Sequence, residues 1–250
     1  MSALRKPNLH PLRTAGQSTD EKIQTDVDKF WPSLFLTIFL VALAIVEWLR
    51  HLFKTPPAPW LYSFLAVLAV VACVFDVRRT RSRLQRLRQG RDGERVVAEY
   101  LDALRAHGFR VLHDVVGGSF NIDHVLVGPS GVFVVETKTW TKRPGQDICF
   151  DGERLLIGGR EDCRPLRQAK GQAKWLSELV GERIGRRIFV KAIVSFADRY
   201  VKESTSAGSI FVLNPKRLHT IANQPRTLTD AEIGKITTHI ENFVRYGTPV

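Results

Sequence analysis

Asp123, Glu136 and Lys138 are the residues whose types and spacing offer chemistry. They sit on two apolar stretches, NIDHVLV at 121–127 and VFVVETK at 132–138, joined by Gly128-Pro-Ser-Gly131. Alternating β-branched residues around such a turn predict a hairpin. If the turn is symmetric, Val127 faces Val132, Val125 faces Val134 and Asp123 faces Glu136. Lys138 shares the face of Glu136, across from Asn121, because strand side chains alternate. Like charges directly opposed across an antiparallel pair repel. Two carboxylates placed so need a cation, and a divalent ion, Mg²⁺ or Mn²⁺, is the natural one, since it takes carboxylate oxygens and keeps several waters. Lys138 is then placed to orient or deprotonate an attacking water, or to neutralise charge developing on a phosphate. The plainer alternative is a Glu–Lys pair at an exposed strand end. Glu-x-Lys alone is a common spacing; the matched Asp123 sets this one apart.

Other candidates are weaker. His124 follows Asp123 and so points to the opposite sheet face, as a packed or supporting histidine. Lys170 and Lys174 share a helix stripe with Arg167 near it, as phosphate contacts or a solvated face. Trp140 is a rim residue that can also stack on a base. Asp198 and Glu203 read as loop charges. Gly117-Gly118 has no following Lys-Ser/Thr and is no phosphate loop. Cys73, Cys149 and Cys163 have no zinc spacing and read as reduced thiols.

The elements that must position these groups follow from periodicity. Gly93-Glu94 opens a helix, with Val96, Val97, Tyr100, Leu101 and Leu104 recurring at helical spacing and Gly108 at its end. Phe109–Val116 is extended, and Asp151-Gly152 marks a further hairpin. Pro165–Val180 is a helix. Ile188–Phe196, almost wholly apolar, is a strand buried on both faces. Ser209–Leu213 is a strand. Pro215–Ile221 and Thr229–Val244 are helices, the last capped by Thr229 or Asp230. This order gives an α/β sandwich around a mixed sheet.

The same residues carry a resemblance. Gly93-Glu94, Asn121-Ile-Asp-His124, Gly128-Pro129, Gly131-Val-Phe-Val-Val-Glu-Thr-Lys138 and Arg164-Pro-Leu-Arg-Gln168 resemble the nuclease-related domain (NERD), over roughly residues 91–200. That family belongs to the PD-(D/E)xK nuclease superfamily. The resemblance implies a restriction-endonuclease-like fold and a metal-dependent phosphodiesterase acting on nucleic acid, most readily DNA. It implies roles for individual residues too. Asp123 is the main metal ligand. Glu136 and Lys138 are the E-x-K pair, and the carbonyl of Thr137 is a further ligand. Glu94 is the acidic residue of the first helix that assists the metal or its waters. Gln168 lies near the scissile phosphate. Apart from the resemblance, Gln172 stands one helical turn after Gln168 and reads from that spacing as a minor contact. The superfamily's proline before the aspartate is replaced by Ile122.

The N-terminal part is of another kind. Residues 30–46 and 58–75 carry no charge, and each run approaches the ~20 residues a helix needs to cross a bilayer. Trp31, Trp48, Trp60 and Tyr62 mark the run ends. Lys54-Thr-Pro-Pro-Ala-Pro59 is a tight turn. Seven arginines, Arg78, Arg79, Arg81, Arg83, Arg86, Arg88 and Arg91, follow without an intervening acid. Basic flanks stay on the cytoplasmic side, so both termini are expected there. Such a segment also suits anionic membrane lipid or phosphates.

The expected organisation is thus a flexible tail (1–29), a two-helix membrane hairpin (30–77), a basic juxtamembrane segment (78–91) and the nuclease-like domain (92–250). The chain has 250 residues, net charge +12, pI about 10.0 and 44% hydrophobic residues, which excludes a wholly disordered chain, a collagen-like repeat and a disulfide scaffold. Two further readings compete with the nuclease. One is a non-catalytic module holding nucleic acid at the membrane; the other is a lipid-surface regulator. Net basic charge suits all three. Only the nuclease reading uses Asp123, Glu136 and Lys138 together.

Overall fold

The computed structural model describes residues 12–29, 31–54, 59–117, 120–139, 147–204 and 208–246. Trp140, Gly118 and residues 55–58 of the Pro-rich turn lie outside these. The chain divides into two units, Ser18–Arg88 and Met1–Gln17 with Gln89–Val250.

In the first unit, helix α1 (Gln17–Asp28) stands where the sequence predicts a flexible tail. It has only two apolar residues at helical spacing, Ile23 and Val27, so composition hid it. One of its contacts is an ion pair between buried Asp26 and Arg83 at 2.8 Å. Helix α2 (Trp31–Leu52) and the first part of helix α3 (Pro59–Asp102) are long and apolar enough to cross a membrane. Their large side chains point outward: Phe35, Phe39, Phe64 and Val71 are each about 60% exposed. Ala44 and Ala66 are buried, and the Trp48 indole donates to Ser63 Oγ at 3.0 Å, which joins α2 to α3. Small residues of this kind let helix backbones approach closely.

Helix α3 does not begin at Gly93. It runs without a break from Pro59 to Asp102, through the arginine-rich segment. Arg, Leu and Gln are good helix formers, and the isolated Gly90 and Gly93 cost only about 1 kcal/mol each. A short 3₁₀ turn, Ala103–His107, then ends on Gly108 at φ 79°.

In the second unit, strands β1 (Arg110–Val116), β2 (Asn121–Gly128) and β3 (Gly131–Lys138) form an antiparallel meander. Strands β4 (Ile148–Phe150), β5 (Leu155–Ile157) and β6 (Arg160–Glu161) follow, then helix α4 (Arg164–Ile184). Strand β7 (Val190–Phe196) returns parallel to β3. Strands β8 (Val201–Ser204) and β9 (Ile210–Leu213), a 3₁₀ segment (Pro215–Asn223) and helix α5 (Asp230–Tyr246) complete the unit. The five-stranded sheet has the order β1-β2-β3-β7-β9; a smaller mixed sheet is ordered β6-β5-β4-β8. Strands β6 and β8 were not foreseen. They are two and four residues long, too short for a period to register.

The five-stranded sheet is covered on both faces. On one, Val125, Val127, Val132 and Val134 pack with Leu166, Ala169, Leu176 and Val180 of α4 and Ile236 and Ile240 of α5. On the other, Leu126, Phe133, Val135 and Ile193 pack with Val97, Leu101 and Leu104 and with Leu218 and Ile221. Burying each such side chain contributes about 1.5–3 kcal/mol. Helix α5 opens on a reciprocal cap. Thr229 N donates to Glu232 Oε2 at 2.9 Å, and Glu232 N to Thr229 Oγ1 at 3.3 Å. Of the two expected caps, it is Thr229.

Candidate active site

The turn sets the register expected for it: Val127 pairs with Val132 and Val125 with Val134. Gly131, at φ 129°, takes a backbone conformation that a side chain would strain. The paired residues end at His124–Val135, one step short of Asp123 and Glu136. Beyond that point the Thr137 N–H turns to the Asp123 side chain, donating to Oδ2 at 2.7 Å. The two carboxylates therefore do not meet as a ladder pair. They are still close enough to repel.

Glu136 and Lys138 project from β3 toward α4. Glu136 is 2% exposed. Its Oε1 accepts from Lys138 Nζ at 2.5 Å, and its Oε2 from Gln172 Nε2 at 2.7 Å. Lys138 Nζ also donates to Gln168 Oε1 at 3.0 Å. Gln168 and Gln172 lie one turn apart on α4, so that helix grips both members of the pair. Gln172 is the residue whose weight the sequence reading missed. It is buried, and its Nε2 also donates to the carbonyl of Asn121 at 2.9 Å, tying α4 to the start of β2. A glutamine at i+4 on the same face was the available signal. Lys170 and Lys174 are exposed on another stripe of α4.

Glu94 comes from α3, which approaches the ends of β3 and β7 at Gly93. A Cβ there would stand 2.1 Å from Thr139 Cγ2 and 3.3 Å from Ala197 Cβ. Only glycine lets the helix come this near, and the approach brings Glu94 into the field of Asp123. Burial raises the Asp123 carboxyl well above the usual carboxylate range, and the charges of Glu136 and then Glu94 raise it further. The Thr137 N–H and Lys138 pull the other way and do not cancel this.

Behind Asp123, on the α3 face, His124 is fully buried. Burial first, and His113 second, lower its imidazole to about 3, so the ring is neutral. It is neither an acid nor part of the carboxylate cluster.

The donor set suits a hard cation. Asp123 and Glu136 carry mutual repulsion that a divalent ion would relieve, and Gln172 Oε1 is buried with no partner among the described residues. Among those residues no group of three His, Cys, Asp or Glu side chains is gathered tightly enough to chelate an ion alone.

Residues 89–197 match the nuclease-related domain family (NERD). An uncharacterized protein of Bacillus anthracis is 39% identical over 57 residues, 21% of this chain and 27% of that one. The structure of Pyrococcus furiosus SfsA in complex with Ca²⁺ aligns over 60% of this chain and 52% of that one, at 18% identity and a TM-score of 0.23. The chain thus spans about a quarter of the length of the Bacillus anthracis protein it matches.

Proposed function

We propose, from the premise that residues 89–197 form a nuclease-related domain of restriction-endonuclease-like fold, that this protein is a membrane-anchored, metal-dependent nuclease hydrolysing phosphodiester bonds, in DNA first. The observation that carries the reading is the gathering of Asp123, Glu136, Lys138 and Gln168, with the Asp123 carboxyl held high by burial and then by the charges of Glu136 and Glu94. A binding module gains nothing from neighbouring carboxylates that repel phosphate.

Asp123 and Glu136 would hold Mg²⁺ or Mn²⁺, with the carbonyl of Thr137 as a further ligand and Glu94 assisting nearby. When bound, such an ion screens phosphate charge and acidifies water. The chain's own groups do the rest. The Thr137 N–H fixes the Asp123 carboxylate. Gln172 fixes Glu136. Lys138 shifts from Glu136 toward the incoming phosphate, where its ammonium holds the attacking water or stabilises developing negative charge. Gln168, exposed at the rim, keeps Lys138 extended toward that position.

The outward-facing apolar side chains of α2 and early α3 support membrane insertion, because soluble surfaces rarely expose such continuous apolar area. The seven arginines from Arg78 to Arg91 support a cytoplasmic domain in contact with anionic lipid. The deciding experiment is a cleavage assay on the full chain in detergent. Linear and circular, single- and double-stranded DNA and RNA are tested with Mg²⁺ or Mn²⁺, beside Asp123→Ala. Metal-dependent cleavage lost in the variant supports the nuclease; binding without cleavage of any substrate moves the reading to a non-catalytic nucleic-acid module.

A further inference from the structure

Four polar groups form a line along the α3 face of the five-stranded sheet, from half-exposed Asp102, whose Oδ1 also accepts from Arg105 Nε at 2.7 Å, to buried Thr137. Asp102 Oδ1 lies 3.5 Å from His113 Nε2. His113 Nδ1 lies 2.9 Å from His124 Nδ1, and His124 Nε2 lies 3.3 Å from Thr137 Oγ1. The two imidazoles meet edge to face, with centroids 5.1 Å apart.

The proton positions follow from these contacts. Two neutral rings sharing an Nδ1–Nδ1 contact need one donor and one acceptor. Asp102 is an acceptor, so His113 keeps its hydrogen on Nε2 and presents a bare Nδ1. His124 must then donate from Nδ1, which leaves its Nε2 bare. The Thr137 hydroxyl therefore donates to His124. Each member fixes the next, and the direction runs from Thr137 to Asp102.

The far end of the line is the reaction centre. Thr137 is 8% exposed, and its N–H belongs to the peptide that joins it to Glu136. That N–H is the one on Asp123 Oδ2 at 2.7 Å. Holding the Thr137 side chain on one sheet face thus holds the peptide that sets Asp123 and carries Glu136. Stability alone does not call for the line, because replacing both partners of a buried hydrogen bond by apolar groups of similar shape is often neutral.

We propose that His113 and His124 are positioning residues: they lock Thr137, and through its peptide they set the geometry of Asp123 and Glu136. The inference rests on the nuclease reading for its consequence and on the backbone for its test.

The test uses the full chain in detergent and three variants. Thr137→Val keeps shape and peptide but loses the hydroxyl. His124→Leu removes the acceptor. His124→Gln returns an acceptor near the place of Nε2. Hydrogen–deuterium exchange over the β3 segment, Mn²⁺ titration calorimetry and steady-state cleavage are read together. Thr137→Val and His124→Leu should lose about tenfold in Mn²⁺ affinity, the usual size for groups that orient a ligand. Their kcat should fall with KM for nucleic acid unchanged, and the Thr137 amide should exchange faster. His124→Gln should recover most of the loss. If Thr137→Val, the variant least able to disturb folding, keeps wild-type amide protection and Mn²⁺ affinity, the proposal is overturned. If the wild-type chain itself neither binds Mn²⁺ nor cleaves, the nuclease reading falls instead, and amide protection alone decides the positioning role.

Discussion

Gln172 donates one side-chain hydrogen to Glu136 Oε2 at 2.7 Å and another to the carbonyl of Asn121 at 2.9 Å. One residue of α4 thereby fixes a buried carboxylate on β3 and the beginning of β2. Gln172→Leu fills the same space without a donor, leaving a 2%-exposed carboxylate oxygen with one partner fewer. We expect a loss of about 1–3 kcal/mol, the desolvation cost of a buried group left unsatisfied. Denaturant unfolding in the absence of metal measures it; an unchanged midpoint would mean that the Gln172 contact contributes nothing.

Asp123→Asn should act in the opposite sense. The aspartate carboxyl is raised by burial and by Glu136 and Glu94, so its charged form destabilises the metal-free domain. Asparagine keeps an oxygen for the Thr137 N–H and removes the charge. The metal-free variant should be as stable as the wild type or more so at pH 7. Addition of Mg²⁺ should raise the wild-type melting temperature more than that of the variant. A variant markedly less stable without metal would identify Asp123 as a structural residue with a buried partner.

Much of this was readable from residues, and the limits have physical causes. The Gly-Pro-Ser-Gly turn set the β2–β3 register because a hairpin's register depends on its turn alone. Asp123, Glu136 and Lys138 could be singled out because the strand period is local, whereas Gln168 came only with the family resemblance. The hydrogen bond from Thr137 N to Asp123, which ends the ladder early, depends on side-chain geometry that spacing does not encode. Gly93 misled: a glycine beside an acidic residue reads as a helix start, while its use is close approach to Thr139. His113 gave no signal on its own strand; the pairing of β1 with β2, with Val116 opposite Asn121, is what sets it opposite His124.

The neutral state of His124 makes stability depend on pH with a defined sign. Its imidazole titrates near 3 in the folded chain and near 6.5 when unfolded. Above pH 6.5 both states hold it neutral, and its contribution is complete. As pH falls from 6.5 toward 3, only the unfolded state takes up the proton, so the contribution is lost. His124→Gln has no such proton. The wild type's advantage over the variant in melting temperature should narrow between pH 7.5 and pH 5. A constant gap would show that His124 titrates normally and is not held neutral by burial.

Orientation in the membrane is testable on its own. A reporter fused after Val250 should behave as cytoplasmic, and one inserted between Thr55 and Pro59 as exterior, given the arginines that follow the second run. An exterior C-terminus would remove the proposed domain from cellular DNA.

Lys138 separates catalysis from binding. Its ammonium lies 2.5 Å from Glu136 Oε1 and 3.0 Å from Gln168 Oε1, and its side chain is 26% exposed, so it can reach a substrate while staying aimed. If it acts on the attacking water or on charge formed in the transition state, its value appears in the chemical step and not in ground-state affinity. Lys138→Ala should then lower kcat by about 10²–10³-fold, the scale of removing one transition-state donor. Affinity for DNA should stay nearly unchanged, because other basic groups among the 37 Lys and Arg supply phosphate contacts. Lys138→Arg should not restore the rate, since the larger guanidinium cannot repeat the contact with buried Glu136 and stays protonated. In a binding module the pattern inverts: Lys138 is one phosphate contact, its loss weakens affinity modestly, and the salt slope falls by about one unit. Fluorescence anisotropy across a salt series, beside single-turnover cleavage, distinguishes the two. A Lys138→Ala variant that cleaves at the wild-type rate would exclude Lys138 from the chemistry.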